Sequence, residues 1–246
     1  MPGLVLPLWN FPSLSLSFKK GTEAVSLFSE LMPIIKSFLA QEPWAMKAAL
    51  RSDATWLLGV FTAFAGGGLM AYLYRLIPVL ETYLERVFMV GSYLSIAFII
   101  FWGVIDRFVF SNQQPWSTTI PPLLFMVMAW FGATYNVRLR SHLSFTEFRS
   151  RMGRQAQFAC LCLDNLLWMS FSIIVIVTTF RAVVLSASNF QIVLGTDNVM
   201  QWWFLSTAPL AFLLMSARVI ENFYEDLGNF RSGRPLIKQT VIGGDA

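Results

Sequence analysis

Few side chains of this chain have the type and spacing that catalysis or metal binding requires. The sequence contains one histidine, His142, and two cysteines, Cys160 and Cys162. A four-helix membrane cytochrome normally needs two axial ligands per haem, often histidines, so bis-histidine haem binding is excluded. Residues two positions apart on a helix point about 200° away from each other, so we interpret the cysteines as packing residues rather than a disulfide or metal pair. The sequence predicts no catalytic residue, no metal site and no cofactor.

The acidic residues near the end of the last apolar run come closest to an active site. Glu221, Glu225 and Asp226 lie beside Arg218, where a lipid-modifying membrane enzyme would place a cluster of His, Asp or Glu at one interface. Their spacing suits a solvated helix face better than a metal site. We therefore do not expect an enzyme, and a lipid-modifying enzyme is the less favoured alternative.

One carboxylate, Asp164, lies inside an apolar run near one of its ends. A carboxylate in that position needs a partner, and either Arg218 or Asn165 could supply one. We predict an intramembrane polar pair, Asp164 with Arg218, with a structural role rather than a role in proton transfer.

The composition places these residues in a membrane protein. Hydrophobic residues make up 56% of the chain and charged residues only 13%, and the mean hydropathy is +0.58, a combination that soluble domains of this length rarely reach. The formal charge of +4 does not indicate a nucleic-acid partner, because the basic residues lie at the ends of apolar segments. We predict an all-α integral membrane protein.

Four apolar runs are long enough to form core transmembrane helices, at 86–105, 120–137, 158–180 and 199–217. An additional N-terminal membrane helix is predicted at 54–74. Its small residues recur at every fourth position and would let another helix approach closely; they are Gly59, Ala63, Gly67 and Ala71. The glycine triplet 66–68 could instead interrupt this helix, so the sequence leaves open whether the segment spans or turns back.

An amphipathic helix is predicted at 22–41, with Pro33 as a point of kinking. Two interpretations remain open for it. The helix can lie in the membrane interface, or it can pack on a partner or on the rest of this chain.

The distribution of arginine predicts the orientation. Arginines are concentrated in the loop after residue 137 and in the tail after residue 217, so these segments and the C-terminus are predicted to be cytoplasmic. If 54–74 also spans, the N-terminal segment with Lys36, Lys47 and Arg51 must lie outside, against the charge rule. The sequence does not resolve this conflict.

Several short motifs follow one another from Trp102 to His142 and beyond. They are Asp106-Arg107-Phe108-Val109-Phe110, Pro115-Trp116-Ser117, Gly132, Arg138, His142, Gly195, Trp202-Trp203, Pro209 and Arg218. In order and spacing they resemble the small permease subunit (DctQ type) of the tripartite ATP-independent periplasmic, or TRAP, transporters. The resemblance extends from about Leu84 to Leu227. The family's outward loop continues with an acidic pair, where this chain has Thr118-Thr119.

The resemblance implies a non-catalytic subunit of a sodium-coupled importer of carboxylate-bearing solutes, located in the bacterial inner membrane. Its implied partners are a large permease subunit (DctM type), a periplasmic substrate-binding protein and membrane lipids. The chain would then divide into an N-terminal extension at 1–80, a four-helix domain at 81–227 and a cytoplasmic tail at 228–246. Subunit or lipid contacts are expected at Asp106, Arg107, Trp116, Arg138, His142 and Arg218. A scaffold for a different membrane complex remains the alternative, because physical reasoning alone does not separate the two.

Overall fold

The computed structural model describes residues 22–40, 42–112, 114–140, 149 and 151–236, with side chains described from residue 30 onward. The described part consists of helices and connecting turns, with a single isolated β-bridge between Ile192 and Met200. In chain order the helices are α1 (Thr22–Leu39), α2 (Pro43–Ala49), α3 (Ala54–Leu76), α4 (Pro78–Phe108), α5 (Trp116–Leu139), α6 (Arg154–Ser188), α7 (Gln201–Leu205) and α8 (Thr207–Ser232).

The predicted fold class is confirmed. Five segments of the described chain are long and apolar enough to cross a membrane: α3, α4, α5, α6 and the continuous stretch from α7 to α8. Several are longer than predicted because the apolar part of a helix marks only its membrane-embedded portion. Helix α4 has 31 residues, which at about 1.5 Å per residue gives roughly 46 Å, against about 30 Å for the hydrocarbon core. Helix α8 ends at Gly233, whose left-handed conformation (φ 79°) stops the helix within the segment predicted to be a tail.

Helix α8 lies at the centre of the bundle and packs against α3, α5 and α6, whereas α4 packs mainly on α5. The core between these helices is apolar. Val137 of α5, Met169 of α6 and Phe212 of α8 meet there with Ala63 of α3. Helix α4 is therefore an edge helix, and most of its large apolar side chains face outward.

Helix α3 uses its row of small residues to approach its neighbours. Gly59, Ala63, Gly67 and Ala71 are all buried. A Cβ atom at Gly67 would lie 3.0 Å from the Cβ of Ser216 and 3.2 Å from the backbone nitrogen of Ala217, so α3 and α8 approach at backbone distance. The glycine triplet does not break the helix. A π-helical turn over Thr62–Gly66 ends at the first glycine of the triplet, and the helix continues to Leu76.

The contacts of α3 also fix its direction. Its first residue, Ala54, packs near Val184 at the far end of α6, while its last turn reaches α4 and α8. Helices α3 and α6 are therefore antiparallel, and the segment before α3 lies at the bundle end opposite to the start of α6.

Helices α1 and α2 occupy that same end. Ile34 of α1 is buried with Leu50, Ala54 and Val184, so α1 packs on the rest of the chain. Its opposite face carries exposed apolar side chains, which are Met32, Ile35 and Leu39. A helix that packs on the bundle with one face and presents apolar side chains on another fits both interpretations that the sequence left open.

Candidate functional site

A buried ion pair joins the edge helix α4 to the central helix α8. The Nε atom of Arg218 donates to the Oε1 atom of Glu85 at 2.7 Å, and the side chains are 2% and 1% exposed. Two charges are removed from water at a large cost, which is offset only when their geometry is good and their remaining polar atoms are satisfied. The guanidinium of Arg218 meets this condition. The buried Oε2 atom of Glu85 has no hydrogen-bond partner among the described residues, and the Nη1 atom of Arg138 lies 3.9 Å from it.

Three further charged residues complete a group that we call the ionic cluster: Glu81, Glu85, Arg138, Arg218 and Glu221. The Nη atoms of Arg218 donate to the backbone carbonyl of Glu81 and to the carboxylate of Glu221, both at 2.9 Å. Arg138 donates to the same Glu81 carbonyl at 2.6 Å and to the Glu81 carboxylate at 3.3 Å. The cluster thus ties the ends of α4 and α5 to the middle of α8.

Helix α3 closes this cluster with one aromatic side chain. Tyr74 of α3 is fully buried, and its ring centre lies 4.0 Å from the guanidinium carbon of Arg218. Its hydroxyl donates to the Oε1 atom of Glu85 at 3.3 Å. A cation over an aromatic face is stabilised by the ring quadrupole, and more strongly when the cation is desolvated.

A second network lies closer to the end of the bundle. Arg140, which ends α5 in a left-handed conformation (φ 53°), donates to the buried carboxylate of Asp226 at 2.6 Å and to the backbone carbonyl of Asn222 at 3.0 Å. Asn165 of α6 donates to the other oxygen of Asp226 at 3.2 Å. The solvated acidic face predicted for α8 is therefore wrong for Glu221 and Asp226, because both point inward to arginines.

The predicted pair between Asp164 and Arg218 is also wrong. Asp164 pairs instead with Arg149, whose Nη1 and Nη2 atoms both donate to it, the latter at 3.0 Å. Neighbouring residues on a helix point about 100° apart, so Asn165 faces α8 while Asp164 faces the segment that precedes α6. The hydrogen bond to Asp164 raises the pKa of Arg149 above its usual value, so this guanidinium stays charged.

The other predicted contact residues are dispersed. Arg138 and Arg218 point into the ionic cluster, whereas Arg107 is exposed at the opposite end of the bundle and lies over the ring of Phe108. Asp106 and Trp116 are half-buried near that end. His142 lies outside the described residues.

The loops at this opposite end pack closely against one another. Gly195 has a φ of +80°, and a Cβ atom there would lie 2.6 Å from the Cβ of Pro115. The Oγ1 atom of Thr119 donates to the carbonyl of Leu194 at 2.7 Å. The loop between α4 and α5 and the loop between α6 and α7 thus form one surface.

The buried carboxylates of the described residues serve to join helices. Within the described ranges no group of three or more His, Cys, Asp or Glu residues could hold a metal ion, and the buried carboxylates Glu85 and Asp226 are each paired with an arginine. A catalytic or transporting carboxylate must exchange its proton or ligand. These carboxylates instead hold four helices together.

The two glutamates of α4 in the ionic cluster were not predicted, although the sequence indicates them. Glu81 and Glu85 lie one helical turn apart at the start of α4 and share a face. A pair of carboxylates at the start of an apolar run requires basic partners, and Arg138 and Arg218 are located at the ends of the runs predicted to pack nearby.

Comparisons with known proteins agree on one family. The family described as tripartite ATP-independent periplasmic transporters, DctQ component, matches residues 96–229. The chain is also similar to the sialic acid TRAP transporter small permease protein SiaQ of Vibrio cholerae, with 23% identity over 165 residues, which is 64% of this chain and 91% of that protein. The family match contains Arg138, Arg218 and Glu221 but not Tyr74, Glu81 or Glu85, so the ionic cluster crosses its boundary.

Proposed function

The chain belongs to the DctQ component family of the tripartite ATP-independent periplasmic transporters, and from this premise we propose that it is the static scaffold of a sodium-coupled importer of carboxylate-bearing solutes. It is a TRAP transporter small permease subunit, a multi-pass membrane protein and not an enzyme. The sodium coupling, the substrate class and the scaffold role are the proposal.

The ionic cluster is the observation that carries the scaffold role. A moving transport element usually contains ionisable groups or broken helices near mid-membrane. Here the charged side chains of α4, α5 and α8 meet near one end of the bundle and form ion pairs with one another. Helices cross-linked in this way resist sliding, which favours a fixed support for a partner that moves.

The partners in the proposal are a large permease subunit of the DctM type and a periplasmic substrate-binding protein. We assign the large subunit to the outward face of α4, because this edge helix presents apolar side chains over several turns, including Tyr93, Phe98 and Phe101. Gly91 and Ser95 lie one turn apart on the exposed surface, where small residues allow another helix to approach closely.

The proposal places the chain in the bacterial inner membrane with the ionic cluster near the cytoplasmic side. Arginines 138, 140, 149 and 154 occupy this end of the described bundle, as the charge rule requires of cytoplasmic loops. The C-terminus is then cytoplasmic. Helices α1 and α2 lie at the outer side, where the binding protein would deliver its solute.

The test is reconstitution with and without partners. The chain, the large permease and the binding protein are combined in liposomes, and uptake of a carboxylate-bearing solute is measured with an inward sodium gradient. Uptake is expected only with all three components, and loss of the sodium gradient should abolish it. Transport by this chain alone, or full transport without it, would contradict the scaffold role.

A variant pair tests the assigned partner surface. Gly91→Leu should weaken co-purification of the large permease, because it inserts a large side chain where the helices approach. Gly228→Leu on α8 is the matched control, since an added Cβ atom meets no atom within 4 Å at either glycine. Equal co-purification of both variants would remove α4 as the contact surface.

A further inference from the structure

A groove opens on the side of the bundle between α3, α6 and α8. Its volume is about 810 Å³, and most of its lining is apolar. The walls include Phe64 and Tyr72 of α3, Leu166 of α6 and Tyr224 of α8, all of them exposed. The groove is therefore open laterally, toward the hydrocarbon in a membrane.

The groove has a polar end and an apolar end. Arg75, one turn before the end of α3, lines the polar end. Phe64 lies eleven positions earlier in the sequence, which on a helix corresponds to roughly 16 Å. One leaflet of the hydrocarbon core is about 15 Å thick, so the groove runs from the interface to the middle of the bilayer.

Arg75 is the unpaired charge of this groove. Among the groove residues that the structure describes, Asn165 is bound to Asp226 and Glu221 is bound to Arg218. Arg75 is exposed and has no hydrogen-bond or ion-pair acceptor within the described ranges. A guanidinium with free donors at the depth of the lipid headgroups is suited to a phosphate.

We propose that this groove binds one phospholipid, with an acyl chain lying along Gly68 and Ala71 and the phosphate bound by Arg75. The leaflet is the one on the side of the ionic cluster. Gly68 makes room for the chain, because a Cβ atom built there meets no atom within 4 Å. One wall of the site belongs to α3, outside the residues matched by the family, so the site is a property of the N-terminal extension.

The lipid would complete the packing of α3 against α6 and α8, which lie within the residues matched by the family. Helix α3 contacts α8 along its small residues, and along the groove its side chains Phe64 and Tyr72 are exposed. An acyl chain in the groove would contact all three helices at once. Bound lipid should therefore stabilise the five-helix arrangement, by an amount that rises with lipid concentration.

The test compares four variants in two matched pairs. Gly68→Leu fills the groove, whereas Gly91→Leu places the same side chain on α4, outside it. Arg75→Gln removes the phosphate ligand, whereas Arg231→Gln removes an exposed arginine at the same end of the bundle. Each protein is purified in mild detergent and titrated with phosphatidylglycerol, and native mass spectrometry measures bound lipid.

The wild type should retain one tightly bound phospholipid. Gly68→Leu should lose it, and Arg75→Gln should bind it about tenfold more weakly, as expected for the loss of a charge-assisted hydrogen bond. Gly91→Leu and Arg231→Gln should match the wild type. Equal binding by Gly68→Leu and the wild type would overturn the proposal, as would saturable binding of inorganic phosphate without an acyl chain.

Two further measurements test whether the variants are folded and whether a protein, rather than a lipid, occupies the groove. Helical circular dichroism must be the same for Gly68→Leu and the wild type, and Gly68→Ala, which leaves most of the groove open, should retain lipid. A large permease that displaces the lipid and protects Tyr72→Cys from a lipid-soluble maleimide would instead assign the groove to that subunit. The lipid titration uses this chain alone, so its outcome is independent of the assembly proposed above.

Discussion

The ring of Tyr74 covers the guanidinium of Arg218 at 4.0 Å. Tyr74 lies in the segment that we interpret as an N-terminal extension, before the residues matched by the family, while Arg218 lies within the match. The extension is therefore not an independent appendage. It supplies the side chain that closes the buried ion pair of the central helix.

The first prediction concerns the contact between the Tyr74 ring and the Arg218 guanidinium. Tyr74→Ala should lower the free energy of unfolding by about 3–5 kcal/mol, because it removes a fully buried aromatic ring and leaves a cavity beside Arg218. Tyr74→Phe keeps the ring and loses one hydrogen bond to Glu85, at about 0.5–1.5 kcal/mol. Unfolding in mixed micelles with increasing sodium dodecyl sulfate, followed by circular dichroism, measures both. Equal losses would show that the ring does not act through the arginine.

The second prediction separates a buried ion pair from an exposed one. Glu85→Gln leaves the charge of Arg218 buried without its main counter-ion and should cost about 3–5 kcal/mol. Asp164→Asn breaks a pair in which the side chains are 21% and 29% exposed, and should cost less than about 1 kcal/mol. The same unfolding assay compares the two.

A double variant provides the control for the buried pair. Glu85→Leu with Arg218→Met removes both charges, so its destabilisation should be smaller than the sum of the single variants. Simple additivity would mean that Glu85 and Arg218 do not act as a pair.

The ion pairs of Glu85 with Arg218 and of Asp164 with Arg149 show which features the sequence could not predict. The apolar runs, the small-residue face of α3 and the all-helical fold follow from length and period, which are local properties. The partner of Asp164 does not, because it depends on the rotation of α6 relative to α8. A difference of one position turns a side chain by about 100°, which is enough to direct Asn165 rather than Asp164 toward the central helix.

The ionic cluster could be predicted only in part for the same reason. Arg138 and Arg218 could be singled out because each directly follows a predicted apolar run. Their common acceptor, Glu81, lies more than fifty positions earlier in the chain, and α4 must extend well beyond its apolar run to bring it there. The acceptor of both arginines lies in a polar turn at the end of a membrane helix, and a hydropathy profile does not identify such turns as part of the helix.

The third prediction tests the orientation. With both native cysteines replaced by alanine, single cysteines are introduced at the exposed positions Trp44, Leu194 and Arg234. A membrane-impermeant maleimide should label positions 44 and 194 in intact spheroplasts, and position 234 only after permeabilisation. This pattern follows if the arginine-rich end is cytoplasmic, as the charge rule predicts, because α3 is antiparallel to α6.

Position 44 is the informative one of the three. Its labelling from outside would show that α3 crosses the membrane and that the N-terminal segment lies outside despite Lys36, Lys47 and Arg51. Labelling of positions 44 and 234 only after permeabilisation would mean that α3 does not cross, and the antiparallel arrangement with α6 would then be wrong.

The fourth prediction removes the extension. A chain that starts at Pro78 retains α4 to α8 but exposes the Arg218–Glu85 pair and the faces of α8 that contact Gly67 and Ala71. The truncated chain should insert into the membrane, because its four spans are intact, but should unfold at a lower detergent concentration than the full chain. Restoring α3 with Tyr74→Ala should recover only part of the lost stability, since the helix packing returns while the cover over the arginine does not. A truncated chain as stable as the full protein, with unchanged uptake in the reconstituted transporter, would show that the extension is dispensable.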